Sequence, residues 1–312
     1  MKCSLVFPGQ GSQSVGMMSA YGDNSVVRET FAEASDALGE DLWEMVCAGP
    51  AERLALTVNT QPLMLAAGVA VYRAWLAAGG PVPDVVAGHS LGEYSALVAA
   101  GALSFSDAVP LVRFRAQAMQ DAVPEGEGAM AALLGLEVDA VRQLCADAAA
   151  GDVVEAANLN APGQIVIAGS KAAVERAIEL AKARGAKRAM PLPVSAPFHC
   201  ALMKPAAARL AERLAGVPVA LPSIAVLNNV DVVVSDSPEQ IRDALVRQAF
   251  SPVRWIESIQ AIEARGVTHV IECGPGRILA GMNKRIAKNL QCGSLHDAAS
   301  LDQTIAMLEG GS

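Results

Sequence analysis

Several features that would assign this 312-residue chain to a common class are missing from its sequence. Its apolar runs, such as 63–72 and 94–106, are shorter than the 18 or so residues that a membrane-spanning helix needs. The formal net charge is −8, so the chain as a whole lacks the basic composition expected of a nucleic-acid-binding protein. The sequence therefore predicts neither a membrane nor a nucleic acid as partner.

Paired cysteines are also missing. The six cysteines are scattered, and no two of them form the C-x-x-C spacing of a zinc site. This pattern favours buried thiols in a reducing compartment over a disulfide framework. The apolar run at the N-terminus is too short for the core of a signal peptide. We therefore expect a cytoplasmic protein without a metal site.

What the sequence has in quantity is small apolar residues. Hydrophobic residues make up 52% and charged residues 18%, a composition typical of a packed globular protein. Short apolar runs at 4–7, 85–87 and 268–272 each lead into a turn that contains glycine and then into a helical pattern. Helices are predicted over 61–77, 91–100 and 106–122. Repeated strand–turn–helix units predict an α/β fold with a mostly parallel sheet.

The middle of the chain has a different order of elements. Strands are predicted at 129–134, 153–158, 164–168 and 187–191, and helices at 138–149 and 171–184, with a turn over 160–163. This βαββαβ order is typical of a ferredoxin-like unit. The sequence therefore predicts a small lobe, residues 127–195, inserted into a large α/β domain formed by residues 1–126 and 196–312.

The sharpest chemical motif is the pentapeptide Gly88-His89-Ser90-Leu91-Gly92. A G-x-S-x-G sequence between a strand and a helix is typical of a nucleophile elbow, where small flanking residues permit a strained turn that exposes the serine hydroxyl. The alternative is an ordinary glycine-rich turn with a helix-capping serine. Taken with its setting, the motif favours Ser90 as a nucleophile.

A serine nucleophile needs a base, and the chain has four histidines. His199 lies in a proline-containing loop after the lobe, the kind of position that can return to the active edge of a sheet, and is the preferred base. His89 adjoins the serine, His269 lies in a predicted strand and His296 in a polar segment. No acidic residue between Ser90 and His199 has the strand-end position of a triad acid, so a backbone carbonyl is an alternative partner for the histidine.

Two further segments suggest anion recognition. The loop after the first strand, Phe7-Pro8-Gly9-Gln10-Gly11, could direct backbone amides at an anion, or be a plain turn; it lacks the spacing of a dinucleotide site. Arg113 and Arg115 lie on a mostly apolar helix. An inward-facing Arg115 would need an anion, because an unpaired buried guanidinium is costly.

Taken together, these residues resemble the malonyl-CoA:acyl carrier protein transacylases of fatty acid synthesis over essentially the whole chain. The resemblance rests on the combination FPGQGSQ (7–13), TQP (60–62), GHSLGEYSALVAAGAL (88–103), GAMAALLG (128–135), NLNAPGQIVIAG (158–169), PFHCALMKPAA (197–207) and ECGPGRILAGM (272–282), with an RxxxM stretch at 115–119. It implies a hydrolase-like α/β domain with a ferredoxin-like lobe.

The resemblance also implies roles for individual residues. Ser90 would be the acylated nucleophile and His199 its base, oriented by the backbone carbonyl of Gln248. The backbone N–H groups of Gln10 and Leu91 would form the oxyanion hole. The substrate-binding residues implied in this way are Arg115, which would hold the malonyl carboxylate, together with Gln61 and Asn160.

The function implied is malonyl transfer from malonyl-CoA to the phosphopantetheine thiol of an acyl carrier protein, through a malonyl-serine intermediate. Coenzyme A would be part of a substrate, and no cofactor is expected. A monomer is expected from the same resemblance. The alternatives are a trans-acting acyltransferase of a polyketide synthase and a serine thioesterase or hydrolase.

Overall fold

The computed structural model describes residues 1–310. Its strands are β1 Cys3–Phe7, β2 Val85–Gly88, β3 Gly128–Leu134, β4 Val154–Ala161, β5 Gln164–Ser170, β6 Arg188–Pro191, β7 Ala225–Leu227, β8 His269–Cys273 and β9 Gln291–Leu295. Its α-helices are α1 Ser25–Leu38, α2 Leu42–Ala48, α3 Ala51–Ala55, α4 Thr57–Ala77, α5 Gly92–Ala99, α6 Phe105–Asp121, α7 Val138–Ala149, α8 Lys171–Ala183, α9 Lys204–Ala215, α10 Pro238–Gln248, α11 Trp255–Ala264, α12 Ile278–Ile286 and α13 Ala298–Glu309. Short 3-10 helices span Ser19–Tyr21 and Ala201–Met203.

The first sheet is five-stranded, in the order β7-β2-β1-β8-β9, and every pairing in it is parallel. Helices cover both of its faces, as a parallel sheet requires. Along β1, Leu5 and Phe7 enter the core on one face, and Val6 enters the core on the other. Apolar residues at every position, rather than at alternate ones, are what this two-sided burial needs.

The second sheet is four-stranded and antiparallel, in the order β4-β5-β3-β6. With α7 and α8 it gives the ferredoxin-like order of elements, so the predicted fold class is confirmed. Along β5, Ile165 and Ile167 pack in the cluster with the two helices, whereas Val166 and Ala168 pack in a cluster that includes Phe198 and Cys200. The helix-free face of this sheet thus packs against the loop that carries His199. The lobe boundaries at 127 and 195 stay a prediction.

Two of the predicted element ends were wrong by more than two residues. β4 continues to Ala161, so the turn is limited to Pro162 and Gly163. Its last residues pair with β5, where Ala161 lies opposite Gln164, and Leu159 also donates a backbone hydrogen bond to Val253 outside the lobe. Helix α4 begins at Thr57 rather than at 61. Its added turn is held by buried polar contacts, including the bond from the Gln61 side chain to the Thr57 hydroxyl.

No helix within the described residues is both long and apolar enough to cross a membrane.

Candidate active site

Ser90 lies on a sharp turn between β2 and α5, with a φ of +52°. Both flanking glycines are required by close backbone approaches. A Cβ on Gly88 would lie 1.9 Å from the Gly92 carbonyl, and one on Gly92 would lie 2.1 Å from the Phe7 carbonyl oxygen. The strained left-handed conformation is a feature that functional sites commonly hold in place. The G-x-S-x-G motif therefore forms the elbow that the sequence predicts.

A residue that the sequence did not point to holds this elbow. The side-chain oxygen of Asn229 accepts a hydrogen bond from the Ser90 backbone N–H at 2.8 Å, and its amide donates to the Gly88 carbonyl at 2.7 Å. Asn229 follows the short edge strand β7 and is fully buried. It ties the two sides of the turn together.

His199 is brought to Ser90 by the loop that follows the lobe. Its Nε2 lies 2.7 Å from the Ser90 hydroxyl, and its Nδ1 lies 2.8 Å from the backbone carbonyl oxygen of Gln248. A carbonyl can only accept, so Nδ1 carries the ring proton and Nε2 presents its lone pair to the serine. The position that an acid occupies in other triads is thus taken by a main-chain carbonyl.

The charge state of His199 follows from its surroundings. Burial, and then the positive charge of Arg115, lower the pKa of His199 to about 3. The imidazole is therefore neutral at pH 7, which is the form that can accept the serine proton.

Arg115, on α6, is buried beside the serine. Its guanidinium donates to the side-chain oxygens of Gln61 at 2.7 Å and Gln248 at 2.9 Å, and to the Ser90 hydroxyl at 3.2 Å. Each of these acceptors is neutral, and only 2% of Arg115 is exposed. A buried guanidinium whose hydrogen-bond partners are all uncharged is suited to an anionic ligand. Arg113, two residues earlier, instead pairs with Glu40 near the surface.

Two residues of the same region have backbone N–H groups without a hydrogen-bond partner among the described residues. Gln10 follows β1, Leu91 precedes α5, and both line the pocket at Ser90. Within residues 1–310, neither N–H donates a hydrogen bond to another group of the chain. Two uncommitted donors beside a serine hydroxyl are what a tetrahedral oxyanion would need.

The pocket around these groups has a volume of about 370 Å³. Helices and strands both contribute to its wall: Gln61 and Met119 come from α4 and α6, and Met130 and Asn158 come from β3 and β4. The size is at the lower end for a small-molecule site. It would enclose a short acyl group rather than a long one.

Asn160 is buried and contacts a residue of the pocket wall. Its side-chain oxygen lies 2.8 Å from Nε2 of His89, which does line the pocket. The wall position on this strand belongs to Asn158 instead. Asn160 thus contacts His89. A role for Asn160 in substrate binding stays a prediction.

The remaining histidines lie away from the serine hydroxyl. His89 also packs against Trp255, with ring centroids 5.5 Å apart. The Nδ1 of His269 contacts the Thr268 hydroxyl at 2.9 Å, and His296 contacts Ser294 and Arg277. Among the described residues, no group of three or more histidine, cysteine or acidic side chains is arranged to hold a metal.

Sequence reasoning also missed Glu93, which is fully buried in the first turn of α5. Its carboxylate accepts from the Gln248 side chain at 2.7 Å and from the Asn229 backbone N–H at 3.0 Å. Burial raises the pKa of Glu93 to about 7, against the lowering effect of these bonds. An acid in a first helical turn is ordinary, so its position alone carried no signal.

Three comparisons place this geometry among known proteins. The model of the acyl transferase domain family matches residues 4–299. The malonyl CoA-acyl carrier protein transacylase of Escherichia coli strain K12 is 54% identical over 299 residues, which cover 96% of this chain and 97% of that protein.

Two solved structures are also similar. The acyl-carrier-protein S-malonyltransferase of Burkholderia pseudomallei has 63% identity and a TM-score of 0.97, covering 98% of this chain and 99% of its own. A malonyl-transacylase solved in complex with a type II polyketide synthase acyl-carrier protein has 51% identity and a TM-score of 0.97, covering 98% and 100%. With more than half of all positions identical along nearly its whole length, the chain belongs to the acyl transferase family and, within it, to the malonyl CoA-acyl carrier protein transacylases.

Proposed function

We propose that this chain transfers a malonyl group from malonyl-CoA to the phosphopantetheine thiol of an acyl carrier protein, through a malonyl ester on Ser90. The observation that carries the proposal is the position of Arg115. Its buried guanidinium lies 3.2 Å from the Ser90 hydroxyl and has only neutral hydrogen-bond partners. An acyl group that ends in a carboxylate would supply the missing charge.

Recognition of that carboxylate follows from the geometry of the side chain. A planar guanidinium can donate two parallel hydrogen bonds to a carboxylate. Gln61 and Gln248 hold Arg115 from two sides, so the ion is fixed before the substrate arrives. Fixing the far end of the acyl group would place its thioester carbonyl at Ser90.

The first half-reaction would begin with proton transfer to His199. Its Nε2 accepts the proton from the Ser90 hydroxyl as the oxygen attacks the thioester carbonyl. The backbone N–H groups of Gln10 and Leu91 would stabilise the oxyanion, and one such donor is worth about 3–4 kcal/mol of barrier. The C–S bond then breaks, and the coenzyme A thiolate leaves with the proton from His199.

The second half-reaction would run the same steps with the carrier's thiol. His199 accepts the thiol proton, the sulfur attacks the malonyl ester, and the proton returns to Ser90 as the C–O bond breaks. Water is a competing acceptor. We propose that Arg115 limits hydrolysis by fixing the acyl chain across a pocket whose wall includes Met119 and Phe198.

The charge of the substrate would also change the pKa of His199. The positive charge of Arg115 is one of the causes that lower the pKa of His199. A malonyl carboxylate paired with Arg115 would offset this charge, and the pKa of His199 would rise. The base would therefore become stronger when an acidic acyl group occupies the pocket.

The carrier of fatty acid synthesis is the acceptor we propose. A polyketide carrier is the second candidate, because the relative of 51% identity was solved with one. Their kcat/KM values with this enzyme distinguish the two, since the physiological carrier should be the better acceptor. A serine hydrolase of neutral acyl groups is disfavoured, because it would gain nothing from a buried Arg115.

We also propose that the chain acts in the cytoplasm as a monomer and uses no cofactor. The cytoplasmic location is supported by the six cysteines, all of which are unpaired thiols. The mechanism above uses only the side chains and backbone groups named, together with the two substrates. No nucleic acid is expected as a partner at a net charge of −8.

Intact-mass measurement after mixing with malonyl-CoA tests the proposal. We expect a gain of about 86 Da, a malonyl group in place of a proton, that maps to Ser90 and disappears when carrier is added. Ser90→Ala should show no gain. If the wild-type enzyme turns over both substrates without a covalent adduct, or the adduct lies on another residue, the proposed mechanism is wrong.

A further inference from the structure

Gln248 contacts the active site through its side chain as well as through its backbone carbonyl. While that carbonyl holds His199, the side-chain oxygen accepts from Arg115 at 2.9 Å. The side-chain amide donates to the Ser90 carbonyl at 3.0 Å and to the Glu93 carboxylate at 2.7 Å. One residue at the end of α10 thus contacts the nucleophile, the base and the cation.

The direction of these contacts is set by Glu93 together with the Ser90 carbonyl. An amide side chain can turn over and exchange its oxygen and nitrogen, which would present N–H groups to Arg115. A carboxylate oxygen and a backbone carbonyl oxygen can only accept, so Glu93 and Ser90 both require the nitrogen of Gln248 on their side. The amide oxygen must then face Arg115, which is the orientation observed.

Glu93 is itself held in place. It lies in the first turn of α5, three residues after Ser90, and also accepts from the Asn229 backbone N–H at 3.0 Å. Asn229 in turn binds both sides of the serine elbow. The carboxylate therefore connects the elbow to the end of α10. It is too deeply buried, at 2% exposure, to be a surface group.

We propose that Glu93 is a positioning residue for the acyl-transfer reaction: its carboxylate fixes the amide of Gln248 and thereby aligns Arg115 with the acyl carboxylate. Glu93 touches neither the serine hydroxyl nor the histidine in this arrangement, so it acts through Gln248. The reach of the side chain matters more than its charge. This inference deepens the proposed function and rests on it.

Two conservative variants of Glu93 distinguish the effect of its side-chain length from the effect of its charge. Glu93→Asp keeps the carboxylate but shortens the side chain by one methylene, which breaks the 2.7 Å contact with Gln248. Glu93→Gln keeps the length but removes the charge. Its amide oxygen would face Gln248, because the Asn229 backbone N–H donates to the same oxygen position. The readout is the ratio of kcat/KM for malonyl-CoA to that for acetyl-CoA, because only malonyl transfer depends on Arg115.

We expect Glu93→Asp to lower the malonyl-to-acetyl ratio about tenfold or more, mainly through a higher KM for malonyl-CoA. Glu93→Gln should stay within about threefold of the wild-type ratio. A merely structural defect would reduce both activities equally. A ratio that Glu93→Asp leaves unchanged would overturn the proposal, and so would an equal loss in Glu93→Gln.

A matched control comes from Glu272, a second buried acid, whose pKa burial also raises to about 7. Its carboxylate accepts from the Ala280 backbone N–H in α12 and makes no hydrogen bond to Gln248 or Arg115 within the described residues. Glu272→Asp should leave the ratio unchanged. If the wild-type enzyme forms no malonyl ester on Ser90, the proposed function is wrong. If it forms this ester but Glu93→Asp has the wild-type malonyl-to-acetyl ratio, only the inference about Glu93 is wrong.

Discussion

The two sheets of this chain bury different kinds of side chain. At the carboxyl edge of the parallel sheet, acids, amides and cations are buried next to one another, as Glu93, Arg115, His199 and Gln248 show. In the antiparallel unit, within the described residues 128–191, Asn160 is the only buried polar residue. The cluster between that sheet and its two helices is entirely apolar.

This difference indicates that one unit provides the reacting groups and the other provides part of the pocket's shape. Polar groups that are buried together need every hydrogen bond to be made, and they specify a single arrangement when this is achieved. Apolar contacts have no direction, so the antiparallel unit can supply a pocket wall, with Met130 and Asn158, without taking part in the reaction. The parallel unit holds the reacting groups, and the antiparallel unit closes the space around them.

The sharpest test of this division is Arg115→Ala. We expect kcat/KM for malonyl-CoA to fall by about 10²–10³-fold, because a buried charge pair contributes roughly 3–4 kcal/mol. Acetyl-CoA should be affected much less, so the preference shifts toward it. The control is Arg113→Ala on the same helix, which removes the pair with Glu40 near the surface. Unchanged discrimination in Arg115→Ala would remove this residue from the acyl site.

A core variant in the antiparallel unit tests the other half of the comparison. Ile167→Ala should lower the free energy of unfolding by about 2–4 kcal/mol, since it leaves a cavity under α7 and α8. The malonyl-to-acetyl ratio of the folded enzyme should be unchanged. Denaturant unfolding with steady-state kinetics measures both quantities.

The control is Met190→Ala, on an exposed strand position, which should change the free energy of unfolding by less than about 0.5 kcal/mol. A changed ratio in Ile167→Ala would mean that this core also sets specificity.

The smallest effect is expected from reversing the charge of two basic residues near the contact between the two units. Arg285, near the end of α12, contacts Gln164 on β5, and Lys284 lies beside it. Because the net charge is −8, an acidic carrier would need a local basic patch such as this one. Lys284→Glu with Arg285→Glu should raise KM for the carrier about three- to tenfold, less at high salt, and leave KM for malonyl-CoA unchanged.

The control for this docking variant is the same charge change on the outer helix of the small unit. Lys182, on α8, is exposed and pairs with Glu179. Lys182→Glu should leave both KM values unchanged. Equal losses toward both substrates in the Lys284 and Arg285 variant would indicate misfolding and no docking role.

Local pattern was enough to predict much of the fold. The strands at β1, β2 and β8 end in glycine-containing turns, and the β3 to β6 region shows its alternation and helix pattern in the sequence. The edge strands β7 and β9 were not predicted. β7 has three residues, and β9 contains Gly293, so neither has a strong local strand signal. Both exist because a parallel neighbour offers its backbone groups.

Only those residues of the candidate site that belong to a local sequence motif could be predicted without other information. Ser90 and its two glycines can be found from spacing alone, and His199 by elimination among four histidines. Arg115, the oxyanion donors and Gln248 needed resemblance to a family, because they lie on separate elements. Asn229 had no signal, since an asparagine after a short strand is ordinary. Glu93 lies in the segment 88–103 that carries the resemblance, but an acid in a first helical turn is ordinary and nothing indicated its role.

The sequence by itself determined the membership of the chain in an α/β class, its acidic charge without paired cysteines, and the strained serine turn, because each depends on composition or on neighbours within a few residues. Only the tertiary structure decided which oxygen orients His199, what surrounds Arg115, and that Glu93 fixes the amide between them. These contacts join residues 49 to 155 positions apart. Burial then decides their charge states, and burial is a property of the packed molecule.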